Sequence, residues 1–410
     1  MLLKILYIVS SAYFFSYYFL GKQVYIVPKF LIPFLWLIIA ILINKHRVTK
    51  HDKNRLLLLS YPLLLMIILS FACIFLRGFS FSFYTRMISN FLNLMCPLLL
   101  AFSGYMIYGK NVIKIFFVSL MSTLTLNLII NVSIYGFKTF GEYLLTALNV
   151  TSKNNLTNKL ASSLEVGDAT IALMFYLFYF VFNKDVKHRM PLILLTSIFL
   201  YIGFKRVTIV ALVLMLLTYF FLKIKKIDFK LSCGLITFGV AVLSFIQLIF
   251  AKYDTFNTIF NFLGINSLGR TEIYTYASNF YSINPFYLGY GLGALNKIMF
   301  QQIDFTAHNE IIRLYTELGF LPFFIGVYYY FYFIPTHISK YQSKEVAISY
   351  LICTVGLLGL SILGNPLSML ATPTCCFVFM ICGERIYCVK KKEKKVNTYE
   401  YSNFINARRY

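Results

Sequence analysis

Long apolar runs such as LLLLSYPLLLMIILSFACIFL and TIALMFYLFYFVF, separated by short basic stretches such as KHRVTKHDKNR and KIKKIDFK, dictate what this chain can become. A water-soluble domain cannot hide so many consecutive apolar side chains. A hydrocarbon layer of about 30 Å can, at a cost of about 20 helical residues per crossing. Apolar residues make up 59% of the 410 positions and charged residues only 13%, half the share of an ordinary globular chain. That supply suffices for about a dozen crossings. Lipid-facing barrel strands would alternate apolar and polar residues, and these runs do not. The expected fold is therefore all-α: one polytopic membrane bundle over 1–410, with spans near 3–20, 27–43, 56–76, 87–108, 113–135, 167–182, 191–204, 207–222, 231–251, 311–334, 346–363 and 367–388.

The formal charge of +23 would suit a nucleic-acid binder, but the positions of the basic residues argue otherwise. With the N-terminus inside, Lys4, the segments 44–55, 183–190 and 223–230, and the tail 389–410 all fall on the cytoplasmic side. Lysine and arginine near span ends are retained there. The basic excess thus reads as topology and attraction to anionic lipid, with both termini cytoplasmic and no nucleic-acid partner. The eight cysteines form no C-x-x-C pair, and no histidine stands at ligand spacing, so neither a metal nor a disulfide framework is expected.

Two outward connections are long, 136–166 and 252–310. The second is neither polar nor charged enough to be disordered, so a folded extracytoplasmic loop before the last three spans is expected. Its first half, SLGRTEIYTYASNFYSINP, reads as an amphipathic helix capped by Ser267 and stopped by Pro285. FYLGYGLG follows, with Gly289, Tyr290 and Gly291; glycines at every second position allow a tight loop or a close approach to ligand. In FTAHNEIIRLYTELGF, Thr306 would cap a helix whose first turn carries His308, where the helix dipole favours a neutral imidazole able to accept a proton. Asn309 follows, and Glu310, Arg313 and Glu317 share one stripe at spacings of three and four, as a self-neutralising triad or as substrate-facing groups.

The hairpin from Met190 to Leu222 is 33 residues, about 50 Å of helix where two full crossings need about 60 Å. Lys205 and Arg206 at its tip are drawn below the surface, and buried cations without a neighbouring carboxylate call for an anion. The fork of an arginine fits phosphate oxygens. An outward cavity with Arg206 and Arg270 as cations, His308 as base and several tyrosines is the picture these residues compose. No Walker loop supports ATP-driven transport. A reaction on the outer face then needs a donor that is already activated, such as a lipid-linked pyrophosphate sugar.

Arg270, NPFYLGYGLG (284–293) and HNEIIRLYTELG (308–319), set in a large outer loop before the last spans, resemble the O-antigen ligase and Wzy-type polymerase superfamily. The GFKRVTIV hairpin occupies the place of that family's Ser-Arg hairpin, with Lys205 in place of serine and Arg206 retained. The resemblance implies a GT-C-like glycosyltransferase in the bacterial inner membrane, acting on undecaprenyl-pyrophosphate-linked oligosaccharide without a cofactor, alongside a chain-length regulator. It implies that Arg206 and Arg270 neutralise the pyrophosphate and that His308 deprotonates or orients the acceptor hydroxyl. Lys205, Gly289, Tyr290, Gly291, Asn309, Glu310, Arg313 and Glu317 would surround the substrate, with Glu272 and Glu165 as alternative bases. Within that superfamily the chain is most like a repeat-unit polymerase for O-antigen or capsule. The alternatives are a ligase to lipid A core and, in another class, a flippase for the same lipid.

Overall fold

A computed structural model of the chain describes residues 1–16, 22–43, 49–146, 160, 164, 167–203, 206–224, 227–262, 269–362 and 364–382. The described residues are helical, with no strand beyond one isolated bridge between Leu288 and Gly319. In chain order the helices are α1 Leu2–Phe15, α2 Lys22–Ile43, α3 Lys50–Leu76, α4 Phe81–Tyr108, α5 Val112–Thr146, α6 Gly167–Phe182, α7 Arg189–Ile202, α8 Arg206–Leu222 and α9 Phe229–Lys252. Short helices α10 Thr255–Phe262, α11 Arg270–Ala277, α12 Ala294–Ile303 and α13 Glu310–Leu318 follow. The chain then returns to long helix with α14 Phe320–Tyr328, a π turn Tyr329–Phe333, α15 Ile334–Tyr341, α16 Lys344–Ser361 and α17 Ala371–Cys382.

Four stretches are long and apolar enough to cross a membrane: Asp52–Leu76, the run Phe81–Leu145, Phe229–Lys252 and Lys344–Ser361. Six shorter helices among the described residues are also apolar. Leucine, isoleucine and phenylalanine side chains stand exposed along these helices, among them Ile38, Leu57, Ile68, Leu217 and Phe238. Such a surface needs lipid as its solvent. Pro28, Pro33, Pro62 and Pro97 lie inside helices, a pattern membrane helices tolerate because their neighbours satisfy the freed carbonyls. Polar caps mark the helix starts: Thr49 and Asp52 form a capping box on α3, and Asp228 and Ser343 cap α9 and α16.

The bundle is built on α2 against α4, α8 against α16, α17 against α4 and α6, and α1 against α5. Where α8 meets α16, a Cβ on Gly359 would come within 2.7 Å of the Ala211 backbone, so the two helices approach as closely as small residues allow. Because α8 and α16 run antiparallel, this contact fixes their register.

Two expectations change. The span at 311–334 is broken: Gly319, at φ 88°, ends α13, and the Phe320 N–H donates to the Tyr287 carbonyl at 3.0 Å instead of continuing the helix. The continuous apolar helix is Phe320 to Tyr341, and α13, with its charges, stands before it. The helix at 113–135 ends where expected, because Gly136 (φ 81°, ψ 156°) leaves the helical region, and a second helical stretch follows it to Thr146. His308 is not in the first turn of a helix capped by Thr306. Asp304 and His308 both adopt left-handed conformations, which no helix can pass through, and Asn309 is the cap, its side-chain oxygen accepting from the Ile312 N–H at 3.0 Å. Ser267, expected to cap α11, lies outside the described residues; the position before α11 is Gly269 in a left-handed conformation.

Candidate functional site

The strip 307–310 is held on both sides. From α12, the Asn296 side chain accepts the Ala307 N–H at 3.1 Å. Towards the end of α16, the Asn309 side-chain amide donates to the Ile362 carbonyl at 2.9 Å, and the Glu310 N–H donates to the Gly364 carbonyl at 3.1 Å. Asn309 is fully buried by these contacts, while its neighbour His308, at φ 45°, is turned outward and exposed. A non-glycine residue in this region costs free energy and persists only where the surroundings enforce it.

Tyr274 joins this strip to α11. Its hydroxyl donates to the His308 carbonyl at 3.3 Å, and its ring is buried. Burial pushes the phenol above its ordinary value, while the Arg270 charge one helical turn earlier and the Asn309 side chain pull it down. Tyr274 therefore remains a neutral donor, with the exposed Arg270 on one side and His308 on the other. Its position four residues after Arg270 places it on that arginine's helix face.

Arg206 is the first residue of α8. Ala211 lies beside Gly359, and Arg206 lies five residues from Ala211 towards the end of α16. Gly364 is the residue that accepts the Glu310 N–H. The start of α8, with its positive dipole end, therefore lies towards the same end of α16 as the His308–Glu310 strip. Lys205 and Glu165 lie outside the described residues, and Glu272 is exposed next to Thr271.

The charged stripe of α13 faces inward. Glu310, Arg313 and Glu317 are all buried, and Arg313 pairs with Glu310. Burial pushes the Glu310 carboxyl up to about 7 against the pull of Arg313. Burial also raises Glu317, whose oxygens point towards the Gly293 and Leu295 N–H groups without closing a hydrogen bond of normal geometry.

The glycine loop is packed against protein on the side where a side chain would stand. A Cβ on Gly289 would fall onto the Glu317 carbonyl, and one on Gly291 would meet Ile74 at 2.6 Å and the Ser70 carbonyl at 2.9 Å. The loop in turn caps α13: the Tyr290 and Gly291 N–H groups donate to the Thr316 and Glu317 carbonyls at 3.1 and 2.8 Å. Arg77, at the end of α3, donates to the Gly289 and Leu288 carbonyls at 2.9 and 2.6 Å and lies 3.9 Å over the Tyr290 ring. Elsewhere, a lateral groove of about 520 Å³ with mostly apolar walls, including Phe117, Met121 and Leu195, separates α5 from α7.

Residues 191–327 match the family model Wzy_C, described as O-antigen ligase. The matched stretch begins within α7 and includes Arg206, Arg270, the glycine loop and His308. No curated protein and no solved structure matches the chain.

Proposed function

We propose that the protein is a membrane glycosyltransferase that moves a glycan from a polyprenyl pyrophosphate to a hydroxyl of a second, lipid-linked repeat unit, as a polysaccharide polymerase on the outer face of the bacterial inner membrane. The observation carrying this reading is the meeting of Arg270, Tyr274 and His308 inside the region that matches the O-antigen ligase family. Arg206 and Arg270 bind the pyrophosphate, whose charge grows as the anomeric carbon–oxygen bond breaks. Preorganised cations are worth most where charge develops, and a guanidinium fork fits two phosphate oxygens at once. The acceptor oxygen forms the new bond to the anomeric carbon and gives its proton to the His308 imidazole, a step typically worth about 10²- to 10⁴-fold. The rigid strip from Asn296 to Gly364 holds that imidazole in place. Asn309, Glu310, Arg313 and Glu317 support the strip from behind.

The ligase reading is favoured by the matching family being described as O-antigen ligase, and it differs only in the acceptor, a lipid A core. Removal of the protein from its cell separates the two. Loss of a polymerase leaves single repeat units on the surface, whereas loss of a ligase leaves lipid-linked polymer and a bare core. Purified protein that forms no glycosidic bond from lipid-linked repeat units in detergent, while moving them across a bilayer, would instead be a flippase.

A further inference from the structure

The glycine loop reaches below the end of a membrane span. Helix α3 closes at Leu76 and α4 opens at Phe81, so the short turn 77–80 that joins these two apolar helices lies at a membrane surface. Beside this turn, Arg77 donates to the Leu288 and Gly289 carbonyls. Further down, Gly291 packs on Ile74, and the Leu292 N–H donates to the Ser70 hydroxyl at 2.9 Å, six residues or about 9 Å inside the end of α3. A Cβ on Gly293 would fall onto the Asn90 side chain, nine residues inside α4. Irregular backbone at this depth is tolerated only where protein satisfies it. Here the Tyr290 and Gly291 N–H groups donate to the end of α13, and the Tyr287 carbonyl accepts from the Phe320 N–H.

These contacts fix the height of the residues just before the loop. Asn284 builds a turn, its side-chain oxygen accepting the Phe286 N–H and its carbonyl the Tyr287 N–H, both at 2.9 Å. Tyr287 points inward, and its hydroxyl donates to the Phe280 and Thr316 carbonyls at 2.9 Å. Its two neighbours point the other way: Phe286 is 87% exposed and Leu288 is 62% exposed. Because the Leu288 carbonyl is bound to Arg77, both side chains stand near the level where α3 ends. Phe75, Leu76 and Phe81, at the ends of the two spans, are exposed as well.

We propose that Phe286 and Leu288 are a membrane anchor, seated in lipid at the headgroup–acyl boundary beside the α3–α4 turn, and that they hold the glycine loop to the bilayer surface. Height selects lipid as the occupant: apolar groups level with the end of a span meet the bilayer before they meet anything dissolved in water. Aromatic side chains favour that boundary. Anchors of this kind bury their apolar groups about 5–10 Å into it. Neither side chain offers a glycan a hydrogen bond. Through the Tyr287 hydroxyl and the Gly291 N–H the loop is bonded to the end of α13, the helix that begins just after His308, so the anchor sets the height of the His308 strip relative to lipid. The inference requires that α3 and α4 span a membrane and is independent of glycan transfer.

Tryptophan fluorescence in liposomes tests the depth. The chain has one tryptophan, Trp36, buried on α2. Full-length Phe286→Trp and Leu288→Trp are made in wild type, where they are read by difference, and in Trp36→Phe. Each is reconstituted in phosphatidylcholine brominated either near the headgroup end of its acyl chains or near their tips. The new indole is expected to emit to the blue of indole in water, to resist aqueous iodide, and to be quenched several-fold more by the shallow bromines than by the deep ones. Water-like emission with full iodide quenching overturns the proposal, because the two residues then face water or a dissolved ligand. Shielding from both quenchers, or shielding that is lost as the protein is diluted in lipid, also overturns it, since protein then covers the turn. Stronger quenching by the deep bromines would put the ring in the hydrocarbon core and overturns the interfacial placement. No turnover is measured, so a failure of the glycosyltransferase reading would leave these outcomes unchanged.

Discussion

The Tyr274 hydroxyl donates to the backbone carbonyl of His308, so a buried phenol on one helix fixes the one residue of the neighbouring strip that turns its side chain outward. Through this bond the conformation of the imidazole depends on α11, the helix that begins at Arg270.

Tyr274→Phe removes the donor and leaves the ring. A lost hydrogen bond of this kind costs about 1 kcal/mol. We expect glycan transfer to slow roughly tenfold with little change in donor binding, because what is lost is placement of the imidazole. Single-turnover and binding measurements on lipid-linked repeat units separate the two quantities.

His308→Gly and His308→Ala should both abolish transfer, yet differ in stability. Glycine adopts the left-handed conformation at φ 45° freely, whereas alanine bears a cost of roughly 1 kcal/mol there. The glycine variant should therefore unfold at or above the wild-type midpoint while being inactive. Arg270→Lys should lose most activity while still inserting, since a point charge does not replace the fork. Polymer length on gels and thermal unfolding in detergent check all three.

Gly289→Ala places a methyl group on the Glu317 carbonyl, a backbone atom that cannot step aside. Overpacking of this kind costs about 1–3 kcal/mol, and here it also breaks the loop's bonds to the end of α13. Lower yield and a lower unfolding midpoint are expected; unchanged stability would mean that the loop is not packed as described.

Glu310 gives a pH dependence with a defined sign. Its folded carboxyl titrates near about 7 against an ordinary value of 4.5, so the folded state holds its proton more tightly than the unfolded chain. That stabilisation is complete below about 4.5 and is lost as pH rises through about 7, so stability falls across this window. Glu317, raised in the same direction, adds to the trend. The difference in unfolding midpoint between pH 5 and pH 8 should shrink in Glu310→Gln, because the amide does not titrate.

Much of the helical framework was readable from the apolar runs alone, because a helix in lipid must satisfy its backbone internally whatever its neighbours do. The broken span at Gly319 was not. TELGFLPFF reads as one helix until Tyr287, thirty-odd residues earlier, supplies the carbonyl that takes the Phe320 N–H. Thr306 and Asn309 are both good caps by residue type, and the left-handed turns at Asp304 and His308 decided between them.

By itself the sequence determined that this chain is an α-helical bundle with lipid for solvent, and it marked Arg206, Arg270 and His308 as groups out of place in such a chain, because hydrophobic periodicity and isolated charge are local properties. Tertiary structure alone decided which way His308 and its charged neighbours face. It turned His308 outward and Glu310, Arg313 and Glu317 inward, and committed the glycines to backbone contacts. Those outcomes depend on hydrogen bonds and packing between segments far apart in the chain, and no local pattern encodes them.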